Sequence, residues 1–188
     1  MDIQSIRKKI NEAKKTNTHL VFKKLFTDTP SWDEIFNHMT YEYYKEPKLN
    51  FPEEYIVNGG VAFNRGMAYA QIRDASFHDK YKKVSSFFNE VFNDISPGGG
   101  VYLDLIFGRE KVNFHPDPSD NLHWQIIGIT TWEFKKNELQ ENPDSTIKLY
   151  PGDIVFIPDG LWHSVYSNTP RCGMTIPYSV RHNITDNG

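Results

Sequence analysis

The chain's 188 residues amount to about one domain, long enough to bury roughly two-thirds of its unfolded surface without disulfide staples. With 21 Lys+Arg against 24 Asp+Glu the net charge is −3, which argues against a nucleic-acid binder working through a large basic face. No run approaches the ~20 apolar residues of a membrane span, the charged opening MDIQSIRKKINEAKK lacks the apolar stretch of a secretion signal, and a lone Cys172 fits a reducing, cytoplasmic setting.

The expectation is one domain over 1–188, with a flank of helices and strands over 1–96 and a barrel core over 97–181. Ile3, Ile6, Ile10 and Ala13 recur at helical spacing and predict a short amphipathic opening helix. Leu20–Phe26 reads as a strand. Ser31-Trp-Asp-Glu34 after Pro30 is a capping box, opening a helix with Trp32, Phe36, Met39 and Tyr43 along one stripe. Gly66–Ile72 reads as another strand. A longer helix is predicted over 77–95, where Phe77, Tyr81, Val84, Phe88, Val91 and Ile95 form a core-facing stripe that Pro97 and three glycines stop. After Gly100 the texture changes to short strands at 101–107, 112–115, 122–128, 130–134, 146–150, 153–158, 162–167 and 172–180. Strands at this spacing, broken by Gly, Pro, Asn and Asp, predict a mainly β fold: an antiparallel barrel or sandwich with the helices outside.

The densest chemistry lies in Phe114-His115-Pro-Asp117-Pro-Ser-Asp-Asn121-Leu-His123. In extended chain His115 and Asp117 point to the same side, because side chains alternate with period two, so they can share one metal ion. An isolated His-x-Asp is usually a turn, and a third ligand is needed. His163 is the candidate. Two His and a carboxylate make the facial triad of non-haem Fe(II) oxygenases, with three positions open for cosubstrate and dioxygen. No Gly-x-Ser-x-Gly elbow is present, and Gly98–Gly100 is not followed by the Lys-Ser/Thr of a phosphate loop.

The context of His163 is Pro151-Gly152-Asp-Ile-Val-Phe-Ile-Pro158-Asp-Gly160-Leu-Trp-His163. It resembles the second motif of the cupin superfamily, Gly-x5-Pro-x-Gly-x2-His, in which a hairpin presents the His inward as a metal ligand. The Asn that usually follows four residues later is replaced by Ser167. The His115-x-Asp117 half, followed by Asn121, Gln125, Gly128 and Trp132, resembles the JmjC-like branch of cupins, the 2-oxoglutarate-dependent oxygenases. The resemblance covers about residues 101–180 and implies a cupin-type double-stranded β-helix (a jelly-roll barrel). It further implies Fe(II) held by His115, Asp117 and His163, 2-oxoglutarate as cosubstrate, and hydroxylation of a small molecule or an amino-acid side chain. One departure matters: the Lys that JmjC-type enzymes aim at the distal carboxylate would stand at position 130, and this chain has Thr130.

A dicarboxylate in a partly buried pocket needs a cation. Arg171 is the first candidate, since other 2-oxoglutarate oxygenases place an Arg on this strand; Thr175, Thr130, Asn121 and Tyr102 are expected as further cosubstrate-binding residues. Tyr178 is expected on an inward strand face, His123 as a pocket-lining group or extra ligand, and Trp132 and Trp162 as core or pocket wall. Lys135 and Lys136 are expected to be solvated. The substrate rim is expected from residues 41–60, rich in Tyr and Phe, and from 137–145. The competing expectation is a non-redox metal-binding cupin, an isomerase or a small-molecule binding protein. A small-molecule or peptide substrate is the expected partner, nucleic acid and membrane are not, and a homodimer is compatible with the sequence.

Overall fold

A computed structural model describes residues 2–37, 61–64, 67–73, 79–93, 102–106 and 111–178. The expected rim at 41–60 lies outside these residues, as does the side chain of Tyr102. In chain order the elements are α1 (Ile3–Thr16), β1 (Leu20–Phe22), β2 (Val61–Asn64), β3 (Met67–Arg73) and β4 (Tyr102–Ile106), with α2, described over 32–37, and α3 (Asp79–Phe92) between them. They continue as β5 (Val112–His115), β6 (Asp120–Ile127), β7 (Thr130–Lys135), β8 (Ser145–Leu149), β9 (Ile154–Ile157), β10 (Trp162–Tyr166) and β11 (Arg171–Tyr178). No helix among the described residues is long and apolar enough to cross a membrane.

Each helix start follows from local chemistry. The Asp2 carboxylate accepts the Ser5 N–H at 2.9 Å and caps α1, which ends on left-handed Asn17. The capping box forms as predicted: the Ser31 N–H donates to Glu34 and the Glu34 N–H to Ser31 Oγ. The hydrogen bond from Lys80, then the Ser31 N–H, hold the Glu34 carboxyl down to about 2. At the far end of α3 the Arg7 guanidinium donates to the carbonyls of Glu90 and Val91, tying α1 to the last turn of α3.

The strands form two antiparallel sheets among the described residues. One has the order β1-β9-β6-β11-β4-β3-β2 and the other β5-β10-β7-β8. This is the double-stranded β-helix expected from the motifs. Period-two alternation in β6 and β11 gives the large sheet two different faces. Leu122, Trp124 and Ile126, with Cys172, Met174, Ile176 and Tyr178, pack against Ile6 and Ile10 of α1 and Tyr81, Val84, Phe88 and Phe92 of α3. The opposite set, Asn121, His123 and Gln125 with Arg171, Gly173 and Thr175, lines the barrel interior. Tyr178 therefore corrects the inward expectation: it stacks on Phe92 at 4.0 Å and its hydroxyl donates to Asn89. A second apolar cluster, including Trp132, Phe134, Val155, Ile157 and Val165, fills the interior toward the small sheet.

Trp124 is the keystone of the helix-facing core. Its ring is 1% exposed, edge-on to Phe26 and Tyr81, and its Nε1–H donates to the Phe26 carbonyl at 3.1 Å. Trp124→Ala is expected to cost about 3–5 kcal/mol, the usual range for deleting a large buried aromatic. Urea unfolding checks this; a loss below about 1 kcal/mol would show that the helices do not depend on that ring.

Candidate metal centre

His115 ends β5 and His163 is the second residue of β10. The two strands pair antiparallel with these residues directly opposite each other, their rings 4.5 Å apart. Asp117 follows in the loop after β5. That loop is fastened to the hairpin turn: the Gly160 N–H donates to the Asp117 carbonyl, and the Asp159 N–H to the Asp120 carboxylate, which also pairs with Lys14 of α1. Gly160 has φ +73, which glycine adopts without strain, so the turn can close against the loop. The two sequence motifs are thus bonded into one unit.

His163 Nε2 lies 3.4 Å from Asp117 Oδ2, and His115 Nε2 3.7 Å from Asp117 Oδ1. One ligand atom from each of the three residues falls within 4.8 Å of the others. The two imidazoles are oriented alike. His115 Nδ1 bonds the Asn113 carbonyl at 2.8 Å and His163 Nδ1 the Leu161 carbonyl at 2.9 Å. A carbonyl only accepts, so each Nδ1 carries a proton and each Nε2 can turn a lone pair inward, the arrangement metal-binding histidines use. The Asp117 carboxylate also accepts from Asn121 Nδ2 at 2.6 Å. Burial pushes the Asp117 carboxyl upward, but His163, His115 and Asn121 outweigh it and hold it below its ordinary value. Two inward lone pairs facing a carboxylate with no donor between them suit a divalent cation. Ligands around one ion at about 2.1 Å stand roughly 3–4 Å apart, so little movement is needed. Borderline nitrogen with hard oxygen, in a set of three, fits Fe(II) among other divalent ions.

The centre opens on a cavity of about 340 Å³. Ile106, Val112, Trp132, Ile157 and Val165 make its apolar wall, and Asn121, His123, Gln125, Arg171 and Thr175 its polar one. Register orders the polar wall by depth from the metal end. Asn121, beside Asp117, pairs with Pro177, His123 with Thr175, and Gln125 with Gly173; Arg171 is one inward step further. Arg171 is buried, next to the Gly128 turn, where a Cβ on Gly128 would sit 2.6 Å from the Pro170 carbonyl.

The structure thus brings together His115, Asp117 and His163, and adds Asn121, Arg171 and Thr175 to the same cavity. Thr130 is buried behind two residues of the cavity wall. That hydroxyl donates to Gln125 Oε1 and accepts from Trp132 Nε1, and Thr130 is not among the cavity-lining residues. His123 lies on the wall and outside the metal cluster. Lys135 corrects the expectation of a solvated side chain: it is buried over the Phe114 and Trp162 rings and donates to the carbonyls of Glu138 and Gln140. Lys136 is exposed as expected. None of residues 137–145 lines the cavity. Gly173 was not anticipated; nothing in its sequence surroundings marks it.

Fold comparison settles the architecture. The ribosomal oxygenase YcfD from Escherichia coli, in complex with cobalt and succinic acid, superposes with a TM-score of 0.60 at 16% identity, over 88% of this chain and 49% of that one. The same protein with cobalt and 2-oxoglutarate gives 0.59 at 17% identity, with the same coverage. The chain has a cupin-type double-stranded β-helix fold. The chain spans about half the length of YcfD. No family model and no curated protein matches its sequence.

Proposed function

We propose that this cupin is an Fe(II)- and 2-oxoglutarate-dependent oxygenase that hydroxylates a small molecule or an amino-acid side chain. The observation that carries the reading is one cavity lined by both a two-His, one-carboxylate cluster and a buried Arg171. His115, Asp117 and His163 would hold the iron. When bound, Fe(II) supplies the redox chemistry by which dioxygen, 2-oxoglutarate and substrate become carbon dioxide, succinate and hydroxylated product. The protein's part is placement. Asn121 fixes Asp117, Arg171 faces the far carboxylate from a buried position where charge-assisted bonds are strong, and the apolar wall keeps water off the reacting groups. Cobalt and 2-oxoglutarate in YcfD support this choice of cosubstrate.

A non-redox metal cupin is the second reading, favoured by Thr130, which stands where the JmjC-like pattern has Lys and whose hydroxyl is taken up by Gln125 and Trp132. The carboxylate in the cluster favours the oxygenase. The substrate reading leans to a free small molecule or amino acid, and a single buried Cys172 supports a reducing, cytoplasmic setting. A succinate-release screen over pooled amino acids, peptides and metabolites tests the proposal. Substrate-dependent succinate is expected with at least one pool of small compounds. Turnover only with long peptides or a folded protein would reverse the lean, and succinate from no pool would move the assignment to the non-redox reading.

A further inference from the structure

Among the described residues of the cavity wall, one buried polar atom makes no close hydrogen bond. His123 is 8% exposed, lines the cavity, and its Nε2 has no hydrogen-bond partner. Buried polar atoms left so are rare in folded proteins and costly. The ring's other side is fixed, with Nδ1 3.1 Å from Thr175 Oγ1. In the tautomer where the hydroxyl donates to Nδ1, the Nε2 carries the proton and is a donor. Burial, reinforced by the Arg171 charge, holds the imidazole down to about 3, so the ring is neutral. Space has been made for it: a Cβ on Gly173 would stand 2.3 Å from His123 Cε1 and Nε2. The imidazole occupies the volume any other inward residue at 173 would fill. Gly173 separates Thr175 from Arg171 on the same inward face of β11, so the orphan donor lies on the metal side of the guanidinium.

We propose that His123 is a cosubstrate-binding residue, its Nε2–H sharing with Arg171 the far carboxylate of a short 2-oxo dicarboxylate. The proposal rests on the oxygenase reading above and adds a neutral donor that its motifs do not name. A carboxylate offers about four lone-pair sites, enough for a guanidinium and an imidazole together. The pair recognises the acidic end of the ligand and leaves the 2-oxo end to the metal.

Calorimetric titration of the protein loaded with Mn(II) tests this, using 2-oxoglutarate and, as a probe without the far carboxylate, pyruvate. His123→Phe is expected to weaken 2-oxoglutarate about tenfold or more. His123→Gln, whose amide can donate from a similar reach, is expected to stay within about threefold, and neither change should alter pyruvate binding or Mn(II) stoichiometry. Gly173→Ala, which displaces the ring without removing it, is expected to weaken 2-oxoglutarate as the Phe variant does, and serves if that variant does not fold. Unchanged affinity in the Phe and Ala variants, or equal losses in the Phe and Gln variants, would overturn the role of His123. No binding of 2-oxoglutarate to the Mn(II)-loaded wild type would instead overturn the oxygenase reading itself.

Discussion

Asp117→Ala is expected to lower divalent-metal affinity by well over a hundredfold, so that the dialysed variant retains no stoichiometric metal. Asp117 is the only charged ligand of the cluster, and its two oxygens each face one histidine. Without it two neutral imidazoles remain, one of them on a half-exposed side chain. Asn121→Ala offers a graded control. It removes the 2.6 Å bond that holds the carboxylate, and partners of that kind are worth about 10–100-fold in metal affinity. Metal analysis of the three proteins side by side checks both changes. Equal metal in wild type and Asp117→Ala would show that the cluster is not the binding site.

Arg171→Gln is expected to raise the KM for 2-oxoglutarate about tenfold to a hundredfold, with metal content unchanged. A buried guanidinium facing a carboxylate makes charge-assisted bonds worth about 1.5–3 kcal/mol, and an amide keeps only part of that. Arg171→Lys should recover some of the loss, because charge is kept while the fork is not. Steady-state kinetics at varied 2-oxoglutarate reads the effect. An unchanged KM in both variants would place the far carboxylate elsewhere in the cavity.

The metal half of the site was legible because local geometry fixes it. His115 and Asp117 share a side by strand periodicity, and the Gly152–His163 spacing is that of a hairpin whose turn glycines have positive φ. The cavity was harder to read. In β6 the apolar and polar residues alternate cleanly, which in an ordinary sheet means core inward and water outward. Here the apolar set faces the helices and the polar set faces the barrel. Alternation alone cannot assign those faces, and Tyr178 lies on the helix-facing one. Long-range contacts account for other differences. The strand expected over Leu20–Phe26 stops at Phe22, because Asp153 accepts the Lys24 N–H and pairs with Lys23, turning the chain at left-handed Lys24. The burial of Lys135 depends on Phe114, Trp162 and two loop carbonyls, which no periodicity of β7 encodes. The short strand β2 carries no such pattern.

The central claim is that one metal in this cluster takes up 2-oxoglutarate through its 2-oxo end. Anaerobic titration of the wild-type protein with Fe(II) and then 2-oxoglutarate tests it most directly. The expected result is a weak visible charge-transfer band that needs both components, saturates at one equivalent of each, and is absent from Asp117→Ala. Stoichiometric Fe(II) binding with no band at saturating 2-oxoglutarate would contradict the claim.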